Sequence, residues 1–263
     1  MNKRLVQEQF GANATAYVNS PTHAGGPSLA RLVQCATPEA RWRVLDVATG
    51  TGHTAMVYAP HVSTVVGLDL TPAMLRLAAH SAAERGLTNI AFTAGDVDDM
   101  PFDDAAFDLV TCRIAPHHFT DIGRFIAEAV RVLRPSGLLA IVDNIVPGSR
   151  LRGKKADRQR EAGAYVNAIE KLRDFSHIRC LSDEEWIDQL QAGGLTVETH
   201  EIMDKRLTFE IWAARHTPEM RTRLRVMLTR APAIAAEFLD PQTDTGVTIF
   251  RLREVLLIGR KKA

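Results

Sequence analysis

The sequence predicts an α/β fold built on a doubly wound, mostly parallel sheet. Three observations lead there. Short apolar runs of strand type alternate with helical stretches from Val44 to Val142. A glycine turn follows the first run, at Gly50 and Gly52. The chain has 263 residues and is 46% apolar, enough for one large domain with a full core. Strands alternating with helices imply a parallel sheet covered on both faces.

The elements follow in order. Val6, Phe10, Ala14 and Tyr17 share one helical face, and Leu29, Leu32, Val33 and Ala36 share another, with a break at Ser20–Ser28. Val44–Val47 reads as the first strand, then the glycine turn and a short helix. Val62–Leu70 reads as the second strand. Thr71-Pro72 opens a helix with a capping hydroxyl and a first-turn proline, and Gly86 closes it. Ile90–Thr93 and Phe107–Ile114 are the third and fourth strands. Ile122, Phe125, Ile126, Ala129, Val130 and Leu133 recur at helical spacing until Pro135-Ser136-Gly137. Leu138–Val142 is the fifth strand.

The C-terminal part has a different pattern. Ser182 to Glu185 is a capping box for a helix that Gly193-Gly194 closes. Thr196–Ile202 and Val247–Ile258 read as an antiparallel pair ending the sheet. Helices are expected near Leu151–Leu172, Phe209–Arg215 and Arg221–Leu228. The organisation expected is one domain over residues 1–263, with a helical cover at 1–40, a ligand-binding core at 41–147, and helical lid insertions at 148–181 and 203–246. Phe209 and Trp212 in the lid suggest an apolar or aromatic ligand.

Composition narrows the function. Lys+Arg 32 against Asp+Glu 31 leaves a net charge of +1, so no field draws in nucleic acid or an anionic membrane. The basic run Arg150–Arg160 also carries Asp157 and reads as a solvated helix face. No apolar run is long enough to span a bilayer, and the N-terminus lacks a signal-type apolar core. The three scattered cysteines read as reduced thiols, which favours a cytoplasmic location. A small-molecule substrate is the expected partner, and the composition leaves room for a homodimer.

Gly50 to Ala55 fits G-x-G-x-x-A, the turn of a Rossmann-like fold, while no G-K-[ST] follows to make a P-loop. Asp46 ends the first strand, where a carboxylate repels a pyrophosphate and attracts an ammonium group. S-adenosylmethionine carries that ammonium and no phosphate. Asp69 ends the second strand, 19 residues after Gly50, placed to accept both ribose hydroxyls. Leu70 follows it, against an adenine face. Asp96 can accept from the adenine amino group and the Val97 amide can donate to the ring.

The segments "VLDVATGTGHTA", "VVGLDLTPAML", "GDVDDMPFDDAAFDLVTCRIAPHHF" and "RVLRPSGLLAIVDN" occur in that order. Together they resemble a class I S-adenosylmethionine-dependent methyltransferase, within the group of the ubiquinone/menaquinone biosynthesis C-methyltransferases. The resemblance runs from about Phe10 to Pro147. It implies S-adenosyl-L-methionine as cofactor and methyl transfer to a small organic molecule, aromatic or quinone-like. Ala48-Thr49 and Ser136 depart from the pattern, where relatives carry glycine. The cofactor set expected is Tyr17, Asp46, Ala48, Gly50, Gly52, Asp69, Leu70, Met74, Asp96, Val97 and Arg113.

His118 and His117 follow the fourth strand and are the candidate catalytic residues, with His118 favoured because His117 should alternate away. No metal is expected, since adjacent histidines point apart and no H-x-x-x-H pattern occurs. Two other functions compete. A nicotinamide oxidoreductase would need hydride-transfer machinery such as Tyr-x-x-x-Lys, which is missing from the sequence. A non-catalytic adenosyl-ligand-binding module would keep the pocket without turnover.

Overall fold

A computed structural model describes residues 3–5, 7–8, 10–11 and 25–263. The described residues between 3 and 11 are helical. The chain then runs through α1 (Pro27–Ala36), β1 (Arg43–Val47), α2 (His53–Tyr58), β2 (Thr64–Asp69), α3 (Pro72–Glu84), β3 (Ile90–Ala94) and β4 (Phe107–Arg113). A 3₁₀ turn at Pro116–His118 leads to α4 (Ile122–Val132) and β5 (Leu133–Ile145). The remainder is α5 (Lys154–Arg173), α6 (Asp183–Ala192), β6 (Leu195–Thr208), α7 (Phe209–Trp212), α8 (Pro218–Thr229), α9 (Ala233–Leu239), β7 (Gln242–Asp244) and β8 (Val247–Lys261).

The sheet order is β3-β2-β1-β4-β5-β8-β6, with β7 paired to β8. The first five strands are parallel, and the C-terminal strand runs antiparallel to them. Strand order reverses between β1 and β4, which pair from Val44↔Leu109 to Val47↔Cys112. In such sheets the crevice beyond the carboxyl ends of the strands at this reversal is where ligands bind. The sequence expectation of a doubly wound, mostly parallel sheet is met.

The chain divides into two compact units. The first holds Met1–Asp143, Gln189–Glu201 and Leu256–Ala263. Its core is the near-continuous apolar stretch of the parallel strands, among them Val44, Leu45, Leu68, Leu109, Val110 and Ile141, all buried. The second holds Asn144–Asp188 and Ile202–Val255. Its core gathers Val166, Ile169, Phe209, Trp212, Leu224 and Phe250.

Several expectations change. Thr71 makes no side-chain cap on α3; its backbone N–H donates to Asp69 instead. Helix α4 ends at Val132, and Pro135-Ser136-Gly137 lies inside β5. Leu133 is already extended at φ −74° and ψ 138°, and Arg134, the residue before the proline, is kept from the helical region. Asp121 caps α4 by accepting the Arg124 N–H at 2.9 Å. The capping box of α6 forms: Glu185 N–H donates to Ser182 Oγ at 3.3 Å, and Ser182 N–H to Glu185 Oε2 at 2.8 Å. Helix α9 and strand β7 were not legible in the sequence.

Candidate active site

A cleft opens in the first unit at the carboxyl ends of β1, β2 and β4. The glycine turn forms its floor. Gly50 has φ 55°, and a Cβ built there meets nothing within 4 Å, so it would stand in open space. Gly52 has φ 84°, and a Cβ there would come within 3.0 Å of the Ala78 Cβ and 3.2 Å of Phe92. The two glycines therefore serve different ends. Gly52 lets the turn pack on its neighbours, while Gly50 leaves room for a ligand.

Asp46 is 1% exposed, and both of its carboxylate oxygens are engaged. Oδ2 accepts from the Thr49 hydroxyl at 2.6 Å and the Ala55 N–H at 3.1 Å. Oδ1 accepts from the Thr111 hydroxyl at 2.8 Å. Burial pushes its carboxyl up to about 6, against the pull of those three bonds. Asp46 thus ties the glycine turn and the first turn of α2 to β4.

Asp69, 9% exposed, accepts the Gly50 N–H on Oδ2 at 2.8 Å and the Thr71 N–H on Oδ1 at 2.8 Å. Burial raises its carboxyl above the usual range, and the backbone bonds oppose that shift. The Thr71 side chain and the Leu70 backbone also donate to this carboxylate. Asp96 Oδ2 accepts from Lys3 Nζ at 2.6 Å, and its Oδ1 accepts the Asp98 N–H at 3.0 Å. Burial pushes Asp96 up, but the Lys3 and Asp98 bonds outweigh it and hold it below the usual carboxylate range.

Beyond β4 the chain turns sharply. Ile114 has φ 53°, unusual for a β-branched side chain, and its N–H donates to Val142 O at 2.7 Å. Such strain persists where the surroundings over-determine it and gathers at functional sites. The turn delivers Ala115, His118 and Phe119 to the cleft wall. His118 meets Phe10 edge to face, with centroids 5.0 Å apart. Arg113 is 8% exposed, lines the cleft, and donates from Nε to Ser28 Oγ at 3.3 Å.

Comparison with known proteins decides the family. Residues 45–141 match a family described as a methyltransferase domain. The uncharacterized methyltransferase YcgJ of Bacillus subtilis (strain 168) is 32% identical over 206 residues, which are 78% of this chain and 78% of that protein. The chain belongs to the class I S-adenosylmethionine-dependent methyltransferases. The crystal structure of YcgJ matches this methyltransferase with a TM-score of 0.81 at 29% identity, covering 90% of this chain and 98% of that one. A putative methyltransferase from Bacillus halodurans C-125 gives 0.81 at 34% identity, covering 90% and 100%. The demethylmenaquinone methyltransferase of Deinococcus radiodurans is 44% identical over 114 residues, 42% of this chain and 46% of that protein.

In this methyltransferase the cleft brings together most of the residues expected from the sequence. Asp46, Ala48, Gly50, Asp69, Leu70 and Met74 line it, as do Asp96, Val97, Arg113 and His118. Gly52 and His117 are not among the lining residues. Gly52 instead supports the turn. Tyr17 lies outside the described residues. Asp46 lines the cleft while its oxygens brace Thr49, Ala55 and Thr111, contacts that its place in the sequence did not foretell. The two histidines do not simply alternate apart, for their ring centroids are 4.2 Å from each other. Ala48, in the same turn, has φ 52°.

Sequence reasoning missed Lys3, Thr51, His53 and Thr54 in the lining. Thr51, His53 and Thr54 sat inside the quoted glycine motif and were open to view. Lys3 carried no local signal, since it reaches Asp96 across 93 positions. Phe209 and Trp212 are buried in the core of the second unit, which accounts for both without a ligand. The nicotinamide and non-catalytic alternatives fall with the family assignment. Among the described residues no helix is long and apolar enough to cross a membrane.

Proposed function

We propose that this methyltransferase binds S-adenosylmethionine in the first-unit cleft and methylates a small apolar acceptor, aromatic or quinone-like, that presents a ring hydroxyl. The observation that carries the reading is the cleft wall beside His118. There the His118 imidazole stands among Phe10, Ile114, Ala115 and Phe119, so a proton acceptor is set in largely apolar surroundings. The name of the Deinococcus relative, a demethylmenaquinone methyltransferase, points to the same class of acceptor.

The cofactor fit rests on the turn. Gly50 leaves open the space that a Cβ would fill, and Asp69 lines the cleft at the end of β2, where it would meet the ribose hydroxyls. Asp96 and Val97 line the same cleft and would meet the adenine edge, and Arg113, also in the lining, would pair with the cofactor carboxylate. The cofactor supplies an electrophilic methyl group on a sulfonium. The chain's own residues hold the two reactants in line and exclude water. His118 would accept the proton of the acceptor's hydroxyl, leaving its oxygen as the nucleophile toward that methyl group. A neutral imidazole suits that role.

The test uses S-adenosylmethionine with a labelled methyl and a panel of hydroquinones, phenols, amines and thiols. The expected result is label on a ring-hydroxyl acceptor. In His118→Ala the single-turnover rate should fall by about 10²- to 10⁴-fold, with cofactor affinity preserved. Transfer confined to amines or thiols would overturn the acceptor class, and a wild-type rate in His118→Ala would remove the base.

A further inference from the structure

Asp143 sits near the end of β5, just past Val142, which pairs with Arg113 of β4. It is 0% exposed. Its Oδ1 is 2.6 Å from Nδ1 of His117, itself 8% exposed. Its Oδ2 has no hydrogen-bond partner among the described residues. A carboxylate buried this completely is costly unless paired, and removing its partner leaves an uncompensated charge. Asp143 therefore grips the Nδ1 edge of His117 and fixes both the ring plane and the position of its proton.

The fixed ring has a neighbour. His117 and His118 lie with centroids 4.2 Å apart and planes tilted by 45°. On another side His118 meets the Phe10 ring at 5.0 Å and 89°. His118 lines the cleft and His117 does not. The imidazole at the cleft wall is thus packed between an aromatic edge and a ring that a buried carboxylate immobilises. An apolar pair would fill the same volume without burying a charge, so packing alone does not explain Asp143. A satisfied buried polar pair does specify one arrangement.

We propose that Asp143 and His117 form a positioning pair that holds the His118 imidazole toward the cleft. Neither touches the reacting atoms. Asp143 acts through His117, and His117 acts through ring contact with His118. The proposal rests on the reading of His118 as the base, and it gives Asp143, the aspartate of the "RVLRPSGLLAIVDN" segment, a positioning role. It also separates the two adjacent histidines into different duties.

Nuclear magnetic resonance of the full chain with ¹⁵N-labelled histidine, saturated with S-adenosylhomocysteine, tests it without need of an acceptor. In the wild type the His117 Nδ1 proton should be protected and far downfield, and His118 should give one sharp set of ring signals. Asp143→Asn should lose the protected proton and broaden or split the His118 signals. The affinity for S-adenosylhomocysteine should stay within about twofold. Asp143→Glu should restore part of the His118 sharpness. Unchanged His118 signals in Asp143→Asn would overturn the proposal. Should that variant fail to fold, His117→Gln keeps a donor for Asp143 while removing the ring. It should shift and broaden His118, and unaltered signals there would overturn the proposal equally. Failure of the base reading shows separately, as a wild-type rate in His118→Ala.

Discussion

Replacing Asp46 by asparagine separates a brace from a ligand contact. Burial lifts the Asp46 carboxyl from 3.8 to about 6 in the folded chain. Below the lower value both folded and unfolded states hold the proton. Between the two values only the folded state does. Stability is therefore lost as pH rises through that window and is level above it. At about 1.4 kcal/mol per pH decade the whole loss is about 3 kcal/mol, of which about 2 kcal/mol falls between about pH 4.5 and 7.5. Asparagine carries no charge at any of these pH values. Its carbonyl oxygen can take the Thr49 and Ala55 donors, while its amide faces the Thr111 hydroxyl, which rotates to accept. Urea unfolding of both chains at the two pH values measures the difference. Other titrating groups cancel, since they are common to both chains. The stability of Asp46→Asn relative to wild type should rise by about 2 kcal/mol from the lower to the higher pH. A gap constant within about 0.5 kcal/mol would refute the reasoning, and Asp46 would then carry no burial cost.

Asp69→Ala should weaken S-adenosylmethionine binding by about 30- to 700-fold, the worth of two bonds to a charged acceptor at roughly 2–4 kcal/mol together. Calorimetric titration checks this, and a change under about threefold with the fold intact would reject the ribose assignment. Trp212→Ala should cost about 3–5 kcal/mol of stability, because the ring is 7% exposed and packs on Phe250 at 5.0 Å. A stable variant with an altered acceptor profile would instead return Trp212 to the substrate site. Ser136 is exposed with φ 63°, so Ser136→Gly should relieve about 1 kcal/mol of left-handed strain and raise the thermal midpoint. A lowered midpoint would show that the position carries no such strain.

Much of the first unit was legible because its signals are local. Strand and helix periods differ, so the alternation from β1 to β5 stands out in the residues themselves. The glycine turn and Asp69 belong to one short stretch of chain plus the next strand end, and both reach the cleft. What stayed hidden depends on partners far away in sequence. The inward role of Asp46 needs Thr111, 65 positions on. The separate duties of His117 and His118 need Asp143, 26 positions after His117. Alternation along the chain could not supply that, because a 3₁₀ turn replaces the extended backbone there. Trp212 was misread because an aromatic in a presumed lid looks the same in sequence whether it faces a ligand or a core. Strand β7 is only Gln242–Asp244, too short for any periodic pattern, and Gly246 at φ 86° closes its hairpin with β8.

The most direct measurement is a crystal structure of the full chain grown with saturating S-adenosylhomocysteine. The ribose hydroxyls should lie within hydrogen-bond distance of the Asp69 carboxylate, with the adenine beside Asp96 and Val97 and the ligand backbone passing over Gly50. A nucleoside bound away from the first-unit cleft, or a cleft left empty at saturation, would contradict the assignment of this turn as the cofactor cradle.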